Sequence, residues 1–182
     1  RMLETLGLTW KVDSVRIDDT QVQLRVGRLP HAARGGAQDL VSIADVGFGV
    51  SQTLPVLVSL LVAGPGQLVY LEQPEIHLHP LAQRRMARIL VDAAKSGVVV
   101  VAETHSSLLL REIQTLVATG AIDPGDVAFH WFERDKNGCT TISTTEPDEN
   151  GAYGDWPVDF DRVELEAERD YLDAVENRES AR

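Results

Sequence analysis

Two short apolar runs, Leu68–Val69–Tyr70–Leu71 and Val98–Val99–Val100–Val101, bracket a segment of helical periodicity, and no other feature narrows the fold as far. Apolar runs without polar alternation read as strands buried on both faces of a parallel sheet. Between them Pro80 opens a helix, Met86, Ile89, Leu90, Ala93 and Ala94 recur along one helical face, and Gly97 closes it. A strand–helix–strand unit of this kind predicts parallel strands joined by a right-handed crossover, so the class is α/β. Ligands of such sheets bind beyond the carboxyl ends of the strands. Here the first strand runs into Glu72–Gln73–Pro74–Glu75–Ile76–His77–Leu78–His79–Pro80, and the second into Glu103–Thr104–His105–Ser106. Glu72, Gln73, Glu75, Glu103 and His105 are therefore expected to converge on one crevice whose apolar walls perturb their protonation.

The flanking segments extend the pattern. Residues 10–17 and 21–27 alternate apolar and polar across Asp18–Asp19–Thr20, as a hairpin does. Residues 30–39 read as a Gly/Ala/Arg-rich loop. After Val41–Ile43 comes Asp45–Val46–Gly47–Phe48–Gly49–Val50–Ser51–Gln52, then an apolar run to Ala63 ended by Gly64–Pro65–Gly66. That run is apolar nearly all round, which predicts a buried helix. A further helix is expected from about Ser106 to Thr119. Strands are expected near 127–133 and 139–145, across the turn Asp135–Lys136–Asn137–Gly138.

Charge matters through its location. The chain of 182 residues holds 28 acids against 17 bases, a net charge of −11, which argues against a broad DNA-clamping basic face. From Glu146 to Arg182 there are 13 acids and 4 bases, so residues 1–145 are close to neutral and leave DNA open as a partner. The acidic segment reads as a solvated appendage ending in a helix from about Asp159 to Glu176, with partner docking as the sharper reading. Residues 1–145 and 146–182 are the expected domains. Cys139 is the single cysteine, which excludes a disulfide framework and any multi-cysteine zinc site. No apolar run is long enough to span a bilayer and no signal peptide opens the chain, so a cytoplasmic, non-membrane protein is expected.

A carboxylate at a strand end commonly holds magnesium, a hard cation that prefers oxygen ligands. A histidine on the neighbouring loop can hydrogen-bond a phosphoryl oxygen or an attacking water. A glycine-bearing loop opening onto a helix lets backbone N–H groups approach a phosphate. The order of these three blocks resembles the ABC-type ATPase superfamily, and more closely the prokaryotic SMC-like AAA-family ATPases related to the OLD group. There the Glu–x–Pro–Glu–x–x–Leu–His–Pro and Thr–His–Ser blocks recur in nearly this wording. The resemblance spans roughly residues 40–133, and Gly154–Asp155–Trp156–Pro157 looks like a C-terminal extension of one subfamily.

The resemblance implies a parallel-sheet, P-loop NTPase-like lobe with helices on both faces, antiparallel strands at the edges and an acidic helical tail. It implies ATP and Mg2+ as cofactors and a nucleotide-sandwiched homodimer joined through the signature and D-loop face. Gly47, Gly49 and Ser51, with Asp45 and Gln52 beside them, match the signature loop that contacts the γ-phosphate on the opposite protomer. Glu72 matches the Walker B acid supporting magnesium, His105 the switch histidine, and His79 lies in the D-loop where many relatives have Asp. Relatives are associated with DNA maintenance and anti-phage defence, and some pair with nucleases.

Two departures shape the expectation. The general base expected after the Walker B acid is here Gln73, and an amide orients a water without taking its proton. Either Glu75 or Glu103 then supplies the carboxylate, or nucleotide acts mainly as a dimer clamp. No G-x-x-x-x-G-K-[ST] pattern occurs in the chain. The first residue is Arg1, and the expectation is a C-terminal portion of a longer ATPase, inactive alone and completed by an N-terminal P-loop segment. Two alternatives are a metal-dependent hydrolase using Glu72, Glu75, His77, His79 and His105, and a non-catalytic interaction module.

Overall fold

The computed structural model describes residues 2–29, 39–154 and 159–180. The chain divides into two compact units, Arg1–Ile113 and Gln114–Arg182. The first begins with a short helix α1 (Met2–Thr5) and an antiparallel sheet of β1 (Val12–Arg16), β2 (Val22–Gly27) and β3 (Leu40–Ser42). The Asp18 carboxylate caps the β1–β2 turn, accepting from the backbone N–H groups of Thr20 and Gln21 at 2.7 and 2.9 Å. The expected hairpin is therefore present. Residues 30–38 of the expected loop lie outside the described residues, as do residues 155–157 of the C-terminal extension.

A single 3-10 turn (Ile43–Asp45) leads to α2 (Phe48–Val62). Then β4 (Leu68–Glu72), α3 (Pro80–Lys95) and β5 (Val99–Glu103) form the strand–helix–strand unit, and α4 (Ser107–Ala118) follows. β4 and β5 pair in parallel, from Leu68 opposite Val99 to Glu72 opposite Glu103. Helix α3 begins with Pro80 at its first turn and ends before Gly97, whose φ of 90° only glycine adopts readily. A Cβ there would also lie 3.0 Å from Pro65, so the end of α3 and the Gly64–Pro65–Gly66 turn meet because both are small.

The core of this unit gathers Leu57 and Leu60 of α2, Val69 and Leu71 of β4, Met86, Ile89 and Leu90 of α3, and Leu109 of α4. Met86 is fully buried. Each such side chain taken out of water contributes roughly 1.5–3 kcal/mol.

Two expectations about burial are corrected. The strands are not buried on both faces: Leu68 is 65% exposed, Tyr70 59%, Val99 51% and Val101 43%. Helices cover one face of the pair, and the other is open among the described residues. Helix α2 is likewise buried along one stripe only, through Val50, Leu57 and Leu60, while Val58, Leu61 and Val62 face outward. Apolar content alone does not distinguish a face buried in this unit from one left uncovered.

The second unit holds β6 (Phe129–Arg134) and β7 (Thr140–Thr145), an antiparallel hairpin closed by the expected Asp135–Gly138 turn. It ends in α5 (Asp159–Ser180), longer than the expected helix by one turn. No helix among the described residues is long and apolar enough to cross a membrane.

Candidate functional site

Strand parity positions the first group of side chains. Successive residues of a strand point to opposite faces, so burial of Val69 and Leu71 sends Tyr70 and Glu72 to the open face. In β5 the same alternation places Val101 and Glu103 there. The register makes Glu72 and Glu103 direct neighbours at the carboxyl end of the sheet. The Tyr70 hydroxyl donates to Glu103 Oε2 at 3.0 Å. That hydrogen bond, with the charge of Glu103 adding to it, raises the Tyr70 phenol above its ordinary pKa. Glu72 is exposed and its carboxylate makes no hydrogen bond or ion pair among the described residues.

Beyond β4 the chain makes a tight loop with two non-glycine residues in the left-handed region, Gln73 at φ 45° and His77 at φ 69°. The Gln73 N–H donates to the Glu103 carbonyl at 2.8 Å, carrying the ladder one residue further. Between the two left-handed residues lies Glu75, only 5% exposed. Its Oε1 accepts the Thr104 hydroxyl at 2.5 Å, while Oε2 is buried without a hydrogen-bond partner. His77 and His79 are exposed; the His79 carbonyl accepts from Ala82 and Gln83 and starts α3.

The glycine-bearing loop reaches this group from the other side. Gly47 is the N-cap of α2, with no side-chain capping bond and no acid in the first turn. The N-terminal N–H groups of a helix left in this state favour an anion. A Cβ on Gly47 would meet nothing, so the approach is open; one on Gly49 would sit 3.4 Å from the His77 carbonyl. The Phe48 ring packs on the His77 ring, centroids 5.6 Å apart.

The structure thus brings Glu72, Gln73 and Glu103 side by side, with His105 two residues beyond Glu103, and joins the Asp45–Gln52 loop to them through His77. The expected apolar-walled crevice is not what forms: Glu72, Glu103 and His105 are exposed, and Glu75 alone is buried. The five-residue metal set does not assemble either. Among the described residues no group of three or more His, Cys, Asp or Glu side chains is gathered to hold a metal ion. Glu75 is turned inward to Thr104, and His77 is turned to Phe48. A single unengaged carboxylate, Glu72, fits a magnesium ion held mainly by water and phosphate oxygens.

Sequence reasoning gave no site role to Tyr70 or Gln83, and had Ser106 only as the start of a helix and a member of the Thr–His–Ser block. The Ser106 Oγ accepts from the Leu109 N–H, the signature of an N-cap, and donates to Gln83 Oε1 at 2.8 Å. Serine just before an apolar helical repeat was the available signal; nothing in the pattern marks Gln83.

Three similarities bear on this arrangement. A family model described as "AAA domain, putative AbiEii toxin, Type IV TA system" matches residues 15–111, just over half of the chain. Protein ea59 of Escherichia phage lambda is 29% identical over 114 residues, which cover 61% of this chain and 21% of that protein. The chain therefore spans about a fifth of the length of this curated relative. A solved chain described as "Structural biochemistry of ATP-driven dimerization and DNA stimulated activation of SMC ATPases" shares the fold. Its TM-score is 0.59 at 10% identity, over 92% of this chain and 86% of that one.

Proposed function

The chain belongs to the AAA-domain family whose model spans residues 15–111, and from that premise we propose that it is one part of an ABC-class ATPase. The observation that carries this reading is the parallel register of Glu72 with Glu103, each followed at once by a polar loop, on the open face of the sheet. A P-loop-bearing segment, absent from these 182 residues, docks on that face and brings ATP to Glu72. Magnesium, when bound, neutralises phosphate charge and orients the terminal phosphoryl group. Glu72 would hold the ion, and Gln73 would orient the attacking water without taking its proton. His105 hydrogen-bonds the γ-phosphate.

In a head-to-tail dimer the uncapped start of α2, with Gly47, Gly49 and Ser51, faces the γ-phosphate of the other protomer, flanked by Asp45 and Gln52. His79 lies at the dimer interface. Self-association driven by ATP and stimulation by DNA are carried over from the description of the SMC relative. DNA maintenance or anti-phage defence, with a nuclease partner, in the cytoplasm is the setting that fits the family. Gln73 also favours a second reading, a clamp that closes on nucleotide and turns over slowly or not at all.

Titration calorimetry and light scattering test the proposal. This chain alone is expected to bind ATP more weakly than micromolar, and the protein completed by its P-loop segment to bind ATP and dimerise. Ser51→Arg is expected to retain ATP binding and lose the dimer. Micromolar ATP binding by the chain alone would sink the proposal, as would a completed protein that ignores ATP. Gln73→Glu separates the two readings: a large rise in turnover marks a weakened enzyme, and none in either form marks a clamp.

A further inference from the structure

The two loops that follow β4 and β5 are joined by a closed circuit of hydrogen bonds. Thr104 Oγ1 donates to Glu75 Oε1 at 2.5 Å and accepts from the Ser106 N–H at 3.0 Å. Ser106 Oγ donates to Gln83 Oε1 at 2.8 Å, and Gln83 Nε2 donates to the Leu78 carbonyl at 3.0 Å. The Leu78 N–H donates back to the Glu75 carbonyl at 3.0 Å. His105 lies between Thr104 and Ser106, the circuit's two members on the loop after β5, and His77 lies between Glu75 and Leu78, its two members on the loop after β4. The His77 ring in turn packs on Phe48, at the start of α2.

The loop is also held in a conformation it would not adopt alone. Non-glycine residues at positive φ are uncommon, and they persist where their surroundings over-determine them. Gln73 and His77 flank Glu75, whose one side-chain partner among the described residues is Thr104. Remove that hydroxyl and a buried carboxylate loses its hydrogen bond, while the two left-handed residues lose their brace.

From this we infer that Glu75 and Thr104 are positioning residues, a latch through which the loop bearing His105 and the loop bearing His77 move as one body. A displacement of His105 is transmitted through Thr104 and Glu75 to His77 and so to Phe48 at the start of α2. The inference deepens the ATPase reading and rests on it for its purpose: whatever ligand engages His105 resets the face formed by His77, Phe48 and the first turn of α2. Glu75 is therefore neither base nor metal ligand in this arrangement.

Hydrogen–deuterium exchange on the intact protein without nucleotide tests the latch. Thr104→Val is expected to raise exchange about tenfold at residues 76–78 on the opposite loop, as well as at 105–107. Glu75→Ala is expected to loosen the same two segments, and Thr104→Ser to restore the wild-type pattern. Val98→Ala serves as control, since it opens the core near β5 without touching the circuit; it should lower Tm and leave the two loops unloosened relative to the rest. Loosening confined to residues 105–107 in Thr104→Val overturns the inference. Should Thr104→Val fail to fold, Glu75→Leu removes the same hydrogen bond from the other loop, with an apolar side chain in place of the buried carboxylate, and again both loops loosen or the latch is wrong. Because no nucleotide is used, a negative result leaves the ATPase reading standing, and a failure of ATP binding leaves this result readable.

Discussion

Glu112 is the most deeply buried charged residue among the described residues. Its side chain is fully buried, yet Arg84 and Arg88, one turn apart on α3, reach it from solvent at 2.6 and 2.7 Å. Burial alone would push this carboxyl up; the hydrogen bonds from Arg88 and Arg84, with their charges, outweigh it and hold the pKa below its ordinary 4.5. A depressed carboxylate contributes stability that is complete above the unfolded-state value and fades as pH falls through the folded one. Wild-type protein should therefore lose stability below about pH 4.5 more steeply than Glu112→Gln, as acid titration followed by circular dichroism would reveal. At pH 7 the same substitution should lower stability by about 2–3 kcal/mol in denaturant melts, toward the low end for a buried pair because water screens both guanidiniums. None of this is legible in Leu110–Arg111–Glu112–Ile113, where the acid sits in an ordinary-looking polar position.

At the scale of elements, the sequence signals worked where local and tertiary demands coincide. Helix α3 runs from Pro80 to Lys95, inside the limits that Pro80 and Gly97 set, and Met86, Ile89 and Leu90 are buried on its apolar face. Met86→Ala removes a fully buried side chain from the middle of that face, between α3 and the sheet. It should cost about 2–5 kcal/mol in urea unfolding, with the lower figure if the flexible neighbours collapse into the space. The signals failed where a segment was apolar on every side. Helix α2 and the runs in β4 and β5 read as wholly buried, and in this chain each keeps one apolar face outward.

At the scale of the molecule, that open face is the feature the first unit does not resolve by itself. Leu68, Tyr70, Val99 and Val101 form an exposed apolar surface beside Glu72 and Glu103, on a parallel pair of a kind normally covered on both sides. Val101→Asp should leave the stability of this chain within about 0.5 kcal/mol, since an exposed side chain is replaced by a solvated one. It should abolish association with a P-loop-bearing segment, scored by co-purification. Unchanged association would place that segment elsewhere. The acid excess is no obstacle to a nucleic-acid partner of the first unit, because most of it lies in residues 146–182.

The amino-acid pattern by itself determined the α/β class, the parallel strand–helix–strand unit and the placement of Glu72 and Glu103 at one sheet edge. Strand periodicity and helix punctuation are local, and they survive without knowledge of the surroundings. Tertiary structure alone decided which face each apolar run buries, that Glu75 turns inward to Thr104, and that Gln83 and Ser106 close a circuit around His105. It also decided that His77 leans on Phe48. Those outcomes depend on which side chains happen to meet across 20 to 30 residues of chain, as the separations of 23 and 29 in the circuit show. The Glu–x–Pro–Glu and Thr–His–Ser blocks mark several of these residues, but nothing within either loop says which of them meet.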